Sequence, residues 1–163
     1  MGSDQARVFG RVNIAPVTAE LAELVTFWKY PPPYDIYNGS GGDTASFFNP
    51  DSPYYSVTDE NGNLIGFLAT GIECQVPGGD YSVPAVDIGI GLHPDLTGHG
   101  LGRTILTQFI DEIIATADHP PLLRATIAAF NQRSLKTFAS LGFAETARFT
   151  TKIDWIIVTR PFP

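Results

Sequence analysis

The sequence is poor in cysteine, in basic residues and in long apolar runs, and each shortage excludes a class of protein. Cys74 is the single cysteine among 163 residues, which excludes an internal disulfide and a cysteine-based metal cluster. No apolar run approaches the roughly 20 residues of a transmembrane helix, and the first residues lack the apolar stretch of a signal peptide. We therefore expect a reduced, cytoplasmic protein with no metal ion and no membrane partner.

The shortage of basic residues gives a net charge of −7 and argues against a nucleic-acid partner. Residues 1–96 hold 12 acidic and three basic residues, a net of −9, whereas residues 97–163 hold five acidic and seven basic residues, a net of +2. This division fits a cationic ligand on one part and an anionic ligand on the other, and chance scatter of charge in a small protein is the alternative.

The length and a hydrophobic content of 44% are sufficient for one domain over residues 1–163. Hydrophobic periodicity predicts strands over residues 7–12, 54–58, 64–73, 85–92, 122–128, 143–151 and 153–159. It predicts three helices: one after Thr18, one over residues 100–116, and one from Asn131 to Gly142. In the first of these helices the inward side chains are expected to be Leu21, Leu24, Val25 and Trp28. Short helical turns are expected within 34–53. The order predicts an α/β (mixed α+β) fold, with a mixed sheet that carries helices on its faces.

A glycine-rich loop joins a predicted strand to a predicted helix. It reads Thr97-Gly-His-Gly-Leu-Gly-Arg103. Glycines allow backbone amides to approach a ligand, and a helix N-terminus presents unpaired N–H groups to an anion. A Walker loop would need Gly-Lys-Ser/Thr, and a dinucleotide fingerprint would need Gly-x-Gly-x-x-Gly. The loop therefore predicts a different kind of pyrophosphate site.

This loop resembles the Gln/Arg-x-x-Gly-x-Gly/Ala motif of the GNAT superfamily of acetyl-CoA-dependent N-acetyltransferases. A second stretch, Asn131-Gln-Arg-Ser-Leu-Lys-Thr-Phe138-Ala-Ser-Leu-Gly-Phe143, resembles that family's Asn-x-x-Ala/Ser-x-x-x-Tyr-x-x-x-Gly-Phe motif. The resemblance implies a mostly antiparallel sheet of about six or seven strands, splayed near the cofactor and flanked by about four helices. It also implies direct transfer of acetyl from acetyl-CoA to a primary amine, without an acyl-enzyme on Cys74.

The resemblance assigns residues to the cofactor. Backbone groups around Ile90, Gly91 and Leu92 would hold pantetheine, and amides of His99, Gly100, Leu101, Gly102 and Arg103 would hold the pyrophosphate. Asn131 and Phe138 are further candidate contacts. Asp87 and Glu73 are the candidate general bases, His93 is a weaker one, and a water relay is the alternative.

Two departures from the family motifs leave a second function open. Thr97 stands where the family has Gln or Arg, and Phe138 stands where it often has a tyrosine that protonates the thiolate. A non-catalytic acyl-CoA-binding or sensing module is therefore the alternative to an N-acetyltransferase. Either could form a homodimer. The acceptor is expected to be a cationic amine: a small polyamine, an aminoglycoside-like molecule or a peptide. Five aromatic residues would line its pocket or belong to the core: Trp28, Tyr30, Tyr34, Tyr37 and Phe47.

Overall fold

The computed structural model describes residues 11–162, and the seven strands of this region join in one sheet. The strands are β1 (Asn13–Pro16), β2 (Tyr54–Thr58), β3 (Leu64–Thr70), β4 (Val86–Leu92), β5 (Leu122–Ala128), β6 (Ala144–Thr150) and β7 (Asp154–Pro161). The α-helices are α1 (Ala19–Thr26), α2 (Leu101–Phe109) and α3 (Gln132–Ser140). The π-helical stretch Ile110–Ile114 continues α2. The predicted α/β class is confirmed, with three α-helices in residues 11–162 rather than about four.

The sheet order is β1-β2-β3-β4-β5-β7-β6, and β4 with β5 is its parallel pair. One face of the sheet packs on α2 and α3 through a core that includes Leu68, Ile88, Phe109 and Phe138. On the opposite face Trp28, which follows α1, packs on Phe67 with ring centroids 6.1 Å apart. No helix within residues 11–162 has the length and apolar character to span a bilayer.

The predicted helix boundaries follow from local chemistry. Thr18 Oγ1 accepts a hydrogen bond from the Leu21 amide at 3.3 Å and caps α1, and Asn131 Oδ1 caps α3 by accepting from the Ser134 amide at 3.1 Å. Gly142 follows α3 with φ +90°, a left-handed conformation that favours glycine. Short 3₁₀ turns, Tyr34–Tyr37 and Ala45–Phe48, occupy the segment where helical turns were expected.

Three predicted features are wrong in detail. The first strand begins at Asn13, not within 7–12, because the Val12 backbone bonds instead with the Gln108 side-chain amide; residues 7–10 lie outside the described region. β3 ends at Thr70 rather than at residue 73, since Gly71 takes φ +91° and starts a 3₁₀ turn. Leu24 is 54% exposed, because α1 buries Ala22, Val25 and Thr26 instead.

Candidate active site

The site begins where β4 and β5 separate. The two strands pair only at Val86 with Leu123 and at Asp87 with Arg124. Beyond these pairs β4 continues along β3 to Leu92, and β5 continues along β7 to Ala128. The strands therefore diverge towards their carboxyl ends and leave a wedge-shaped gap in the sheet.

Strand alternation decides which backbone groups of β4 face this gap. The Gly71 amide donates to the Asp87 carbonyl at 3.0 Å and the His93 amide donates to the Ile65 carbonyl at 2.9 Å, so odd-numbered residues of β4 bond towards β3. The backbone groups of Ile90 and Leu92 consequently point into the gap. Those of Gly91 do not, because Gly91 pairs with Phe67.

Gly91 and Gly89 have no side chains, and this allows neighbouring groups to contact the β4 backbone. A Cβ at Gly91 would lie 2.1 Å from the Phe67 ring, and one at Gly89 would lie 3.3 Å from Cys74 Sγ. Aromatic and thiol groups thus lie directly on the β4 backbone, on the face opposite the core. We expect an acceptor molecule to reach the gap from this face, which we call the acceptor face.

The glycine loop leads from the gap to the N-terminus of α2. Gly98 and Gly100 take φ +81° and +78°, and a Cβ on Gly100 would have no heavy atom within 4 Å. His99 is exposed. Leu101 is buried in the core, so its amide rather than its side chain is available, and Gly102 packs near Thr137. The loop therefore presents open backbone amides to an anion.

A cation from α3 lies beside this loop, and sequence reasoning missed it. Arg133, in the first turn of α3, places Nη1 3.8 Å from where a Cβ of Gly98 would lie. Its guanidinium lies 4.1 Å from the Tyr34 ring centroid, and its Nε donates to Tyr34 Oη at 3.2 Å. Arg103 instead lines an open groove on the outer side of α2 with Arg11 and Glu112. No local motif marks Arg133, since its position depends on how α3 packs beside α2.

Asp87 lies at the apex of the gap, in a closed ion pair. Its two carboxylate oxygens accept from Arg124 Nε at 2.7 Å and Nη2 at 2.9 Å, and Gln75 Nε2 adds a third bond at 2.9 Å. Asp87 is 3% and Arg124 4% exposed. Arg124 also donates to the Val83 carbonyl at 2.8 Å and lies over the Tyr81 ring. An amine would have to displace Arg124 or Gln75 to reach this carboxylate.

Glu73 lies in the 3₁₀ turn Ile72–Cys74 after β3, and its side chain is exposed. The turn is held by Ser52, whose hydroxyl donates to the Thr70 carbonyl at 2.6 Å and accepts from the Glu73 amide at 3.0 Å. Burial raises the pKa of Cys74 to about 12, with smaller contributions from Asp87 and Glu73. Burial also raises the pKa of Tyr54 to about 12, with smaller contributions from Cys74 and Glu73. The Glu73 carboxylate therefore acts electrostatically on both the thiol and the phenol.

The remaining candidates separate into core and surface. Phe138 is 2% exposed and packs edge to face on Phe143 at 5.0 Å, so it is a core residue here. Asn131 caps α3 and donates from Nδ2 to Tyr37 Oη at 3.3 Å. His93 accepts from the Asp95 amide through Nδ1 and packs against Trp28. These contacts hold the His93 ring between Asp95 and Trp28, directly after the end of β4.

Curated relatives of this chain are acyltransferases and acetyltransferases. The L-amino acid N-acyltransferase MnaT of Escherichia coli is 36% identical over 92 residues, 56% of this chain and 51% of that protein. The chain spans about half the length of the curated relatives it matches.

Two solved structures share the fold. The structure of yncA from Salmonella typhimurium with its cofactor acetyl-CoA has a TM-score of 0.64 at 22% identity, covering 93% of this chain and 94% of that one. A chimera of the Vibrio cholerae spermidine N-acetyltransferase SpeG has a TM-score of 0.66 at 16% identity, covering 92% and 95%. A family model, Acetyltransferase (GNAT) family, matches residues 18–143. With both motifs, the splayed strands and this match in agreement, the chain belongs to the GNAT acetyltransferase family.

Proposed function

We propose that this protein transfers the acetyl group of acetyl-CoA directly to a primary amine. The observation that carries the proposal is the gap between β4 and β5, which continues into the glycine loop at α2. An extended chain bearing amides pairs with unpaired strand groups as an added strand does, and a pyrophosphate suits a helix N-terminus. The backbone of Ile90 and the amide of Leu92 would bind the pantetheine arm, since the Leu92 carbonyl already accepts from Tyr30 Oη at 2.6 Å. The amides from His99 to Arg103 would bind the pyrophosphate.

Arg133 supports the phosphate end of this assignment. Thr97 has no charge, and its hydroxyl donates to the Pro94 carbonyl at 3.3 Å. The Arg133 guanidinium beside Gly98 supplies the cation that Thr97 lacks, and Tyr34 restrains its orientation. We assign Arg133 as a pyrophosphate contact on this ground.

The reaction requires removal of an amine proton. A primary amine with a pKa near 10.4 is only about one part in a thousand neutral at pH 7.4, a cost of roughly 4 kcal/mol. Among the two predicted bases, Glu73 is exposed beside the acceptor face, whereas Asp87 is enclosed by Arg124 and Gln75. We therefore assign proton removal to Glu73, directly or through water, and assign Asp87 to positioning β4 against β5.

The balanced reaction forms a C–N bond and breaks the thioester C–S bond. The amine proton passes towards Glu73, and the sulfur leaves as thiolate or thiol. Cys74 does not take the acetyl group, because its raised pKa keeps the thiol protonated near neutral pH. Phe138 supplies no proton, and a leaving thiol with an ordinary pKa near 8.5 tolerates this.

Release of free thiol from acetyl-CoA in the presence of an amine panel tests the proposal. The matched loop variants are Gly100→Asp and Gly100→Asn, since both residues tolerate left-handed backbone and only aspartate carries charge. We expect aspartate to weaken CoA binding at least about 100-fold, and asparagine at most about tenfold, by calorimetry. Equal CoA affinity in wild type and Gly100→Asp would remove the loop assignment. CoA binding without turnover on any amine would indicate a sensing module instead.

A further inference from the structure

An aromatic cavity of about 200 Å³ lies on the acceptor face, between the end of α1, the segment that follows it, β2 and β3. Six aromatic side chains form most of its wall: Trp28, Tyr30, Tyr37, Phe47, Tyr54 and Phe67. The rings support one another. Phe47 and Tyr54 have centroids 4.7 Å apart, and Tyr54 stacks on Phe67 at 6.1 Å. Four of the six rings, those of Trp28, Phe47, Tyr54 and Phe67, thus form one packed set.

The cavity adjoins the proposed reaction site at two points. Phe67 covers Gly91 of β4, and Tyr30 donates from its hydroxyl to the Leu92 carbonyl at 2.6 Å. The turn that carries Glu73 reaches the same face of β4, since Cys74 Sγ lies 3.3 Å from where a Cβ of Gly89 would lie. A molecule in the cavity would therefore lie beside the strand that we assign to pantetheine, on the face that also carries the Glu73 turn.

None of the residues that line the cavity carries a charge. Its polar side chains are largely satisfied: Thr26 Oγ1 donates to the Glu23 carbonyl and accepts from the Gly42 amide, and Ser40 donates to the Asp43 carbonyl. Arg124 and Arg133 are held elsewhere, by Asp87 and by Tyr34. A carboxylate inside would meet no cation among the residues that line the cavity, and burying an unpaired charge is costly.

We infer that this cavity holds the body of the acceptor, and that the acceptor is a primary amine on an aromatic or compact apolar group without a carboxylate. The inference rests on the proposed function. The faces of aromatic rings attract an incoming ammonium group. An apolar cavity of about 150 Å³ holds benzene, so this volume accommodates one six-membered ring with a short arm. Free amino acids, the acceptors named for the Escherichia coli relative, are predicted to be poor substrates here.

The decisive experiment compares 2-phenylethylamine with L-phenylalanine, which share the ring and the amine and differ by one carboxylate. We expect kcat/KM to favour 2-phenylethylamine at least about 100-fold. Equal or better use of L-phenylalanine, or a preference for spermidine, would overturn the inference while leaving acetyl transfer intact. Absence of thiol release with every amine would overturn the proposed function, and this inference with it.

Two adjacent phenylalanines provide matched variants. Phe47 lines the cavity, whereas Phe48 in the same 3₁₀ turn is 48% exposed and does not. Phe47→Ala is expected to raise KM for 2-phenylethylamine at least about tenfold without changing KM for acetyl-CoA, and Phe48→Ala to change neither. Ser46→Arg, which adds a cation at the cavity, should shift the preference towards L-phenylalanine by about tenfold or more. Equal effects of Phe47→Ala and Phe48→Ala would contradict a binding role for the cavity.

Discussion

The Asp87–Arg124 ion pair separates a structural role for Asp87 from a catalytic one. Asp87→Asn would leave the Arg124 guanidinium buried opposite a neutral amide. Removing one partner of a buried ion pair costs about 3–5 kcal/mol, because the remaining charge is uncompensated. At about 2–4 °C per kcal/mol for a chain of this size, we expect the melting temperature to fall by roughly 6–20 °C.

A double variant, Asp87→Leu with Arg124→Met, tests whether the charge itself is the cause. It removes both charges and fills the space with apolar groups, which is often neutral for stability. Gln75 Nε2 loses its acceptor on Asp87, a cost of about 1–3 kcal/mol. The Val83 carbonyl also loses its hydrogen bond from Arg124, but Val83 is 59% exposed and water replaces that donor. We therefore expect the double variant to be more stable than Asp87→Asn.

Urea unfolding followed by fluorescence of Trp28 and Trp155 measures both free energies, and kcat/KM of the folded Asp87→Asn protein is measured beside them. We expect kcat/KM of Asp87→Asn to stay within about tenfold of wild type, since Glu73 still accepts the amine proton. A loss of about 10²–10⁴ in kcat/KM with little loss of stability would refute this reasoning and make Asp87 the general base. A double variant no more stable than Asp87→Asn would refute the ion-pair account.

Three further predictions concern single side chains. Glu73→Gln should lower kcat/KM by about 10²–10⁴ in a pH–rate profile, while the exposed Glu60→Gln leaves it unchanged; similar rates for both would assign proton removal to water and backbone groups. Burial raises the pKa of Tyr30 and of Tyr54 to about 12, so the stability that these two phenols contribute is complete below pH 10 and is lost as the pH rises to 12. The free energy of unfolding should therefore fall between pH 10 and pH 12, and less steeply in Tyr54→Phe. An absorbance titration in which all six tyrosines ionise near pH 10 would contradict this. Phe138→Tyr should cost about 1–3 kcal/mol of stability, because its hydroxyl enters a closed contact with Phe143, and raise the rate at most about tenfold; a gain of several hundredfold would show that a missing acid limits the wild type.

Local patterns predicted most of the scaffold. The β5 bounds, the Thr18 and Asn131 caps and the turn at Gly142 follow from alternation, side-chain capping and glycine's tolerance of positive φ, all of which act within a few residues. The turn at Gly98 and Gly100 and the start of α2 at Leu101 also follow from the local sequence, because glycine adopts positive φ without strain. A single cytoplasmic domain and a homodimer stay predictions.

Tertiary packing decided which candidate groups are free to act. The sequence alone could not show that Asp87 is paired with Arg124, 37 residues away, or that Glu73 lies in a turn rather than on a strand. The placement of Arg133 beside Gly98 and the meeting of six aromatic side chains at one cavity depend in the same way on how the elements pack. A side chain's chemistry depends on its neighbours in space, whereas periodicity along the chain indicates only the face of the helix or strand on which the side chain lies.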